Sequence, residues 1–232
     1  MSISRHELGF ALLTVTALPA IAQSSRREFR PEFDLYISYD ERTRFVFKNT
    51  FDDGPAEGYA QGTTSASIEI ALRPVFRRAL RQNPNVFRDR YLTFRTGYEY
   101  SAGSNQGTST GENRIIAEVN TRYPLPLGIV LRDRNRGDFR FRHGQPFSTR
   151  YRNRLWVEHD LEIAGKVAAT PYVYDEITYD GRFGAWSSNR VAMGVELPVS
   201  KFVIEPYLLR QHNTRSSPTW VNALGLKISL FL

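Results

Sequence analysis

TWVNALGLKISLFL, residues 219–232, alternates with a period of two. Leu224, Leu226, Ile228, Leu230 and Leu232 take every second position, and Ala223, Gly225, Lys227, Ser229 and Phe231 lie between them. That is the period of a β-strand, which shows one set of side chains to each face. Termini of soluble globular domains usually fray into water, whereas the sequence given finishes on this apolar strand. A transmembrane barrel needs such a last strand, because pairing it with the first removes both sheet edges. Leu224, Leu226, Ile228, Leu230 and Leu232 are therefore the expected closure and assembly signal. They are predicted to face lipid and to be read by the barrel-assembly machinery, with Lys227 and Ser229 facing the lumen.

The other end agrees. Arg5 and His6 precede an apolar run over residues 8–22, and Ala20-Ile21-Ala22 stands before Gln23. Charged, apolar, then small is the order of a secretory signal, predicted to be cleaved after Ala22. Residues 1–22 are expected as a signal peptide and residues 23–232 as one outer-membrane barrel domain. No other run approaches the roughly 18 consecutive apolar residues of a transmembrane helix. A membrane crossing must then use a closed sheet.

Composition narrows the class. The 232 residues carry a net charge of +7, with 41% hydrophobic and 24% charged residues. The mean hydropathy of −0.42 looks soluble, but lipid-facing and lumen-facing residues of a barrel cancel in such an average. With no cysteine, disulfides, thiolate metal sites and thiol nucleophiles are all excluded. The positive charge in an exported chain suits lipopolysaccharide phosphates or an anion-attracting lumen; no nucleic-acid partner is expected.

Alternating segments continue along the chain. Phe33, Leu35 and Ile37 alternate with Asp34, Tyr36 and Ser38, and Phe45 and Phe47 keep the parity beyond Asp40-Glu41-Arg42. Further strands are predicted over 66–72, 92–100, 115–123, 127–139, 149–161, 167–179, 191–197, 202–212 and the terminal segment. Turns at 124–127, 162–166 and 198–201 fall at one end, expected to be periplasmic. The connections at 52–62, 101–111, 140–148, 180–188 and 212–218 fall at the other and are mostly longer, an asymmetry typical of outer-membrane barrels. The basic segment 75–88 is the exception on the short-turn side. If residues 33–49 form one long strand, the count is ten, the preferred reading within a range of ten to twelve. If Asp40-Glu41-Arg42 is a turn, it is eleven. The fold class is thus an all-β, antiparallel, up-and-down transmembrane barrel. A soluble periplasmic ligand-binding barrel would show the same period with its apolar residues inside.

Charge marks the inner face. Arg132, Arg134 and Arg136 share one parity, as do Arg150, Arg152 and Arg154 on the next strand, so two arginine rows lie side by side. Glu158 and Asp160 continue the second row. Glu69, Arg95, Glu99, Arg114, Glu118, Arg122, Glu176, Arg190, Glu196 and Glu205 take the inward parity of their own strands. Forked guanidinium–carboxylate bonds would either fill a small barrel as a salt-bridge ladder or line a narrow, porin-like, anion-attracting passage.

Several motifs carry a resemblance. Arg152-x-Arg154, Pro171-Tyr172 followed by Glu176, Asn189-Arg190 with Gly194, and Tyr207 with Arg210-Gln211 occur in this order. In this the chain resembles the small bacterial outer-membrane proteins grouped as domain of unknown function 2490, best from Ile129 onward. The resemblance implies a barrel in the outer membrane of the Gram-negative envelope, and no activity.

Catalysis finds few carriers. Of four histidines, His6 belongs to the signal, His143 and His212 fall in predicted loops, and His159 has outward parity. A lipid-active enzyme would need a nucleophile beside one of them, and only Thr214 and Ser216 follow His212. Glu69, Glu99 and Glu118 face arginines and read as ion pairs. No catalytic residue, metal-ligand spacing or cofactor is assigned. The chain is expected to be a monomer whose partners are outer-membrane lipid, lipopolysaccharide and the assembly machinery.

Overall fold

A computed structural model describes residues 25–54, 59–75, 78–82, 85, 87–105, 108–215 and 218–232. The expected signal peptide lies outside these residues. Twelve strands are present among them: β1 (Ser25–Ser38), β2 (Thr43–Gly54), β3 (Tyr59–Leu72), β4 (Leu92–Asn105), β5 (Thr108–Pro124), β6 (Ile129–Arg142), β7 (Ser148–His159), β8 (Leu161–Ile163), β9 (Lys166–Asp180), β10 (Ala185–Val199), β11 (Phe202–Asn213) and β12 (Trp220–Phe231). Eleven of these close into a barrel, while the three-residue β8 pairs only with β9 as an extension at one end. The helical turn α1 (Arg78–Arg81) lies in the connection between β3 and β4.

The count corrects the preferred reading of ten. Asp40-Glu41-Arg42 belongs to a turn and not to a single long strand, because the Asp40 carboxylate accepts hydrogen bonds from the backbone N–H groups of Arg42 (2.7 Å) and Thr43 (2.6 Å). Those bonds also hold the Asp40 carboxyl below the usual aspartate range, Thr43 contributing most and Arg42 next. The first strand begins at Ser25, eight residues before Phe33, the first residue of the expected alternation. It closes the barrel by pairing with β12.

Closure changes the topology as well. Neighbouring strands are antiparallel except β1 and β12, which run parallel from Ser25↔Trp220 to Tyr36↔Phe231. An odd number of up-and-down strands leaves its first and last members pointing the same way, so the purely antiparallel expectation fails at this seam. β1 therefore starts at the end opposite Leu232. The expected loop asymmetry also shrinks: β4 and β5 stay paired as far as Asn105↔Thr108, and β2 and β3 as far as Gly54↔Tyr59. The Gly/Ser/Thr-rich residues read as long loops are ladder. Beyond the apolar part of each strand the outer face needs no apolar side chains, so the hydropathy signal disappears while the hydrogen bonds continue.

The two faces of the barrel are inverted relative to a water-soluble protein. Leu224 is 54% exposed, Leu208 58% and Met193 58%, whereas Glu69, Glu176 and Arg140 are each 1% exposed. Outward side chains form an apolar belt that includes Phe33, Phe45, Phe47, Ile115, Val173 and Val191. The aromatics Tyr98, Tyr100, Tyr151, Tyr179 and Trp186 sit on its rim at the end where β1 starts, all at least one-third exposed. Polar residues interrupt the belt, among them Asp175, which accepts from the Asn189 carboxamide at 2.6 Å. Asp133 accepts hydrogen bonds from the Asn135 and Asn153 carboxamides, both 2.6 Å.

Candidate functional site

The interior is built by strand parity. β4 and β5 set opposite charges face to face: Arg95 lies opposite Glu69 on one side and Glu118 on the other, and Glu99 lies opposite Arg114. Arg95 donates to Glu69 at 2.5 Å, and Arg44 of β2 reaches the same carboxylate at 2.7 Å. Opposite charges directly across a ladder stabilise it, and forked arginine–carboxylate bonds are the stronger kind.

On β6 opposite charges still meet at Arg136↔Glu118 and Asp138↔Arg150, but at four other pairings the rule reverses. Arg132 faces Arg122 of β5, and Arg140 faces Arg114. On the other side Arg134 faces Arg154 of β7, and Arg136 faces Arg152. Like charges directly opposite destabilise a sheet unless something neutralises them. Here a single carboxylate serves each facing pair. Glu158 accepts from Arg122 (3.0 Å) and Arg132 (2.9 Å). Glu176 accepts from Arg134 (2.5 Å) and Arg154 (2.7 Å). Asp138 accepts from Arg136 (2.6 Å) and Arg152 (3.0 Å). Glu112 accepts from Arg114 and from Arg140 (2.7 Å). The carboxylates lie beneath the guanidinium layer, between 1% and 4% exposed.

A third wall is aromatic. Tyr172, Tyr174 and Tyr207 are buried inside with Ala192, Leu209 and Ala223. Tyr207 lies across Gly225 and Tyr172 across Gly194, where an added Cβ would run into the ring. Tyr172 donates to Glu205 at 2.6 Å, and Tyr207 donates to Glu32. Trp156 projects between the arginines, its ring centroid 5.0 Å from the guanidinium carbon of Arg132 and 4.9 Å from that of Arg154.

The walls enclose a chamber of about 400 Å³. Arg132, Arg134 and Arg136 line it with Arg150, Arg152 and Arg154, so the two rows meet at one surface. Arg190 lines it too and donates to Gln211 (2.9 Å). Glu196 reaches Arg132 at 3.4 Å, and Glu205 lines the chamber beside its partner Lys227. Asp160 leaves the row: β7 ends at His159, and Asp160 accepts from the Thr170 hydroxyl at 2.6 Å. Leu224, Leu226, Ile228 and Leu230 point outward on β12, and Lys227 and Ser229 inward.

Some members were missed in the sequence. Asp138 and Arg140 share the parity of Arg136, so carrying the alternation past Phe139 finds both. Glu28, Arg30 and Asp52 belong to strands read too short, Asp34 holds the polar parity of the first expected strand, and Trp156 sits at an inward position of β7. His212, expected in a loop, closes β11 instead and packs on Trp220, ring centroids 4.6 Å apart. Ser216 lies outside the described residues.

A closed β-barrel with its charge inside and its apolar surface outside is the class of protein these features define. Within that class the chain belongs to the family described as protein of unknown function (DUF2490), whose model matches residues 72–222. The match spans β4 to β11 and the start of β12, and so contains every facing arginine pair. No curated protein matches the chain.

Proposed function

We propose that this chain is a monomeric outer-membrane barrel of the Gram-negative envelope, exported with removal of residues 1–22. The observation that carries the reading is the inverted barrel: apolar side chains encircle the outside while carboxylates and guanidiniums fill the interior. Stable exposure of such a belt to water is costly at about 25 cal/mol per Å² of apolar surface, and lipid removes that cost. In this reading the end carrying Leu232 is periplasmic. Lipid and lipopolysaccharide surround the belt, and the assembly machinery reads the outward leucines of β12. Fractionation of cells expressing the full chain tests it. The protein should sediment with outer membranes and migrate faster on a semi-native gel before heating than after. Recovery in the soluble periplasm, or migration indifferent to heating, contradicts it.

Salt bridges brace the interior, and the chamber they leave attracts anions. The second part rests on the lining, which has eleven arginines and two lysines against five carboxylates. Buried acids beneath the lining, Asp138, Glu158 and Glu176 among them, offset much of this excess, so it belongs to the chamber surface and not to the interior as a whole. Charges held away from bulk water are costly without partners, so the chamber favours small anions as counter-charge. We assign no catalytic step.

A further inference from the structure

Five arginines of β6 and β7, joined by Arg190 of β10, crowd around two carboxylates. Asp138 serves Arg136, Arg150 and Arg152 at 2.6, 2.8 and 3.0 Å. Glu176 serves Arg134, Arg154 and Arg190 at 2.5, 2.7 and 3.5 Å. Glu99 reaches Arg136 at 2.8 Å, and Glu118 approaches Arg134 at 4.0 Å. Four carboxylates thus face six arginines, leaving a local surplus of two positive charges.

Hydrogen bonding is incomplete at the same place. The Nε atoms of Arg134 and Arg152 are buried and have no hydrogen-bond partner among the described residues. The two residues are diagonal neighbours on β6 and β7, since Arg134 faces Arg154 and Arg136 faces Arg152. Diagonal positions of a ladder stand ~7–8 Å apart, a span that one tetrahedral oxyanion bridges with oxygens on both guanidiniums. A buried donor left unsatisfied costs ~1–3 kcal/mol; both Nε atoms are covered, so a small turn of each guanidinium brings its idle N–H to an acceptor in the chamber. Across the barrel, Thr50, Gln61, Thr63 and Ser65 line the opposite wall with neutral donors.

We propose that the chamber binds a dianionic oxyanion of the phosphate class between Arg134 and Arg152. This rests on the anion-attracting interior and needs no statement about the membrane. Two surplus charges match a dianion. Glu99 and Glu118 in the lining favour an oxyanion that still carries a proton, because a carboxylate accepts a hydrogen bond from P–OH. Fully deprotonated sulfate repels the same groups. The volume of about 400 Å³ falls in the usual range of small-molecule sites, so inorganic phosphate fits, and so does a small phosphomonoester whose own hydroxyl groups replace the missing P–OH as donors to Glu99 and Glu118.

Calorimetric titration of the refolded full chain in detergent micelles, at constant ionic strength, tests this. Inorganic phosphate should bind saturably, sulfate at least tenfold more weakly, and chloride without saturation. A titration with glucose 1-phosphate separates the two sources: tighter binding than inorganic phosphate assigns the site to phosphomonoesters, and weaker binding assigns it to the free ion. The Arg134→Gln/Arg152→Gln double variant should lose tenfold or more in affinity. Arg152→Lys, which keeps the charge and removes the fork, should lose severalfold. Arg210→Gln, on the outer face, should bind as the parent does. Heat-modifiable migration of each variant confirms that it folds. Phosphate heats equal to those of chloride, sulfate binding as tightly as phosphate, or equal losses in Arg210→Gln and the double variant would overturn the proposal. A barrel recovered from the periplasm yet binding phosphate would overturn the membrane reading alone.

Discussion

The β3–β5 wall and the β6–β7 surface are built from the same residue types and solve opposite problems. Around Arg95 each charge meets its opposite across the ladder, and the wall neutralises itself. On β6 and β7 arginine meets arginine, and one buried carboxylate holds each facing pair. The first arrangement is a brace. The second is a brace that keeps a positive surplus pointed at the chamber. The inward positions of β4 and β5 mix the two signs, whereas those of β6 and β7 run arginine after arginine, and the register decides which arginines face each other.

The largest way to break the contrast is to remove the shared acid. Glu176→Ala strands Arg134, Arg154 and Arg190 in a buried site. Leaving buried charge uncompensated costs about 3–5 kcal/mol, and this variant should fall at the upper end, read as a loss of urea midpoint in micelles. Arg95→Gln comes next. It frees Glu69 and Glu118 of one partner each, but Arg44 and Arg134 remain near them, so we expect about 3 kcal/mol on the same scale.

Gly225→Ala tests the third wall, where no charge is changed. The added methyl displaces the Tyr207 ring and with it the bond to Glu32. Overpacking of this kind costs about 1–3 kcal/mol, visible in the same unfolding curves.

Arg152→Gln should do far less than Arg95→Gln. Asp138 keeps Arg136 and Arg150, and a like-charge contact disappears, so the change should stay within about 1 kcal/mol of either sign. A cost as large as that of Arg95→Gln removes the distinction between the two walls. The smallest effect belongs to the exposed turn between β1 and β2. Its Asp40 carboxyl is lowered by the Thr43 and Arg42 backbone N–H groups. That contribution is present above the carboxylate range and is lost as pH falls through it. Asp40→Ala should lower the unfolding midpoint slightly near neutral pH and match the parent in acid.

Much of this was legible in the sequence, and the reasons for the remainder are physical. The leucines of β12 and the arginine parity announced themselves, because a period of two survives any error in strand ends. Strand number did not. Asp40-Glu41-Arg42 is polar in either role, and only the backbone bonds to Asp40 choose the turn. β1 hid its first half because Arg26, Glu28, Arg30 and Glu32 are its inward set. Pro31, outward and without an N–H, breaks the apolar alternation, and the β1–β2 pairing skips Arg30 and Pro31. The two rows were visible side by side, yet which arginine faces which depends on register, and register is fixed by the connections. The sharing of Glu176 and Asp138 follows from that register and from nothing in either row alone.

The inverted barrel itself can be probed directly, because the chain has no cysteine and one placed anywhere is unique. Leu224→Cys points outward from β12 and Ser65→Cys inward from β3. In isolated outer membranes, Leu224→Cys should resist a water-soluble maleimide and react with a lipid-soluble one, while Ser65→Cys, 5% exposed inside the barrel, should resist the lipid-soluble one. Rapid labelling of Leu224→Cys by the water-soluble reagent would contradict the account.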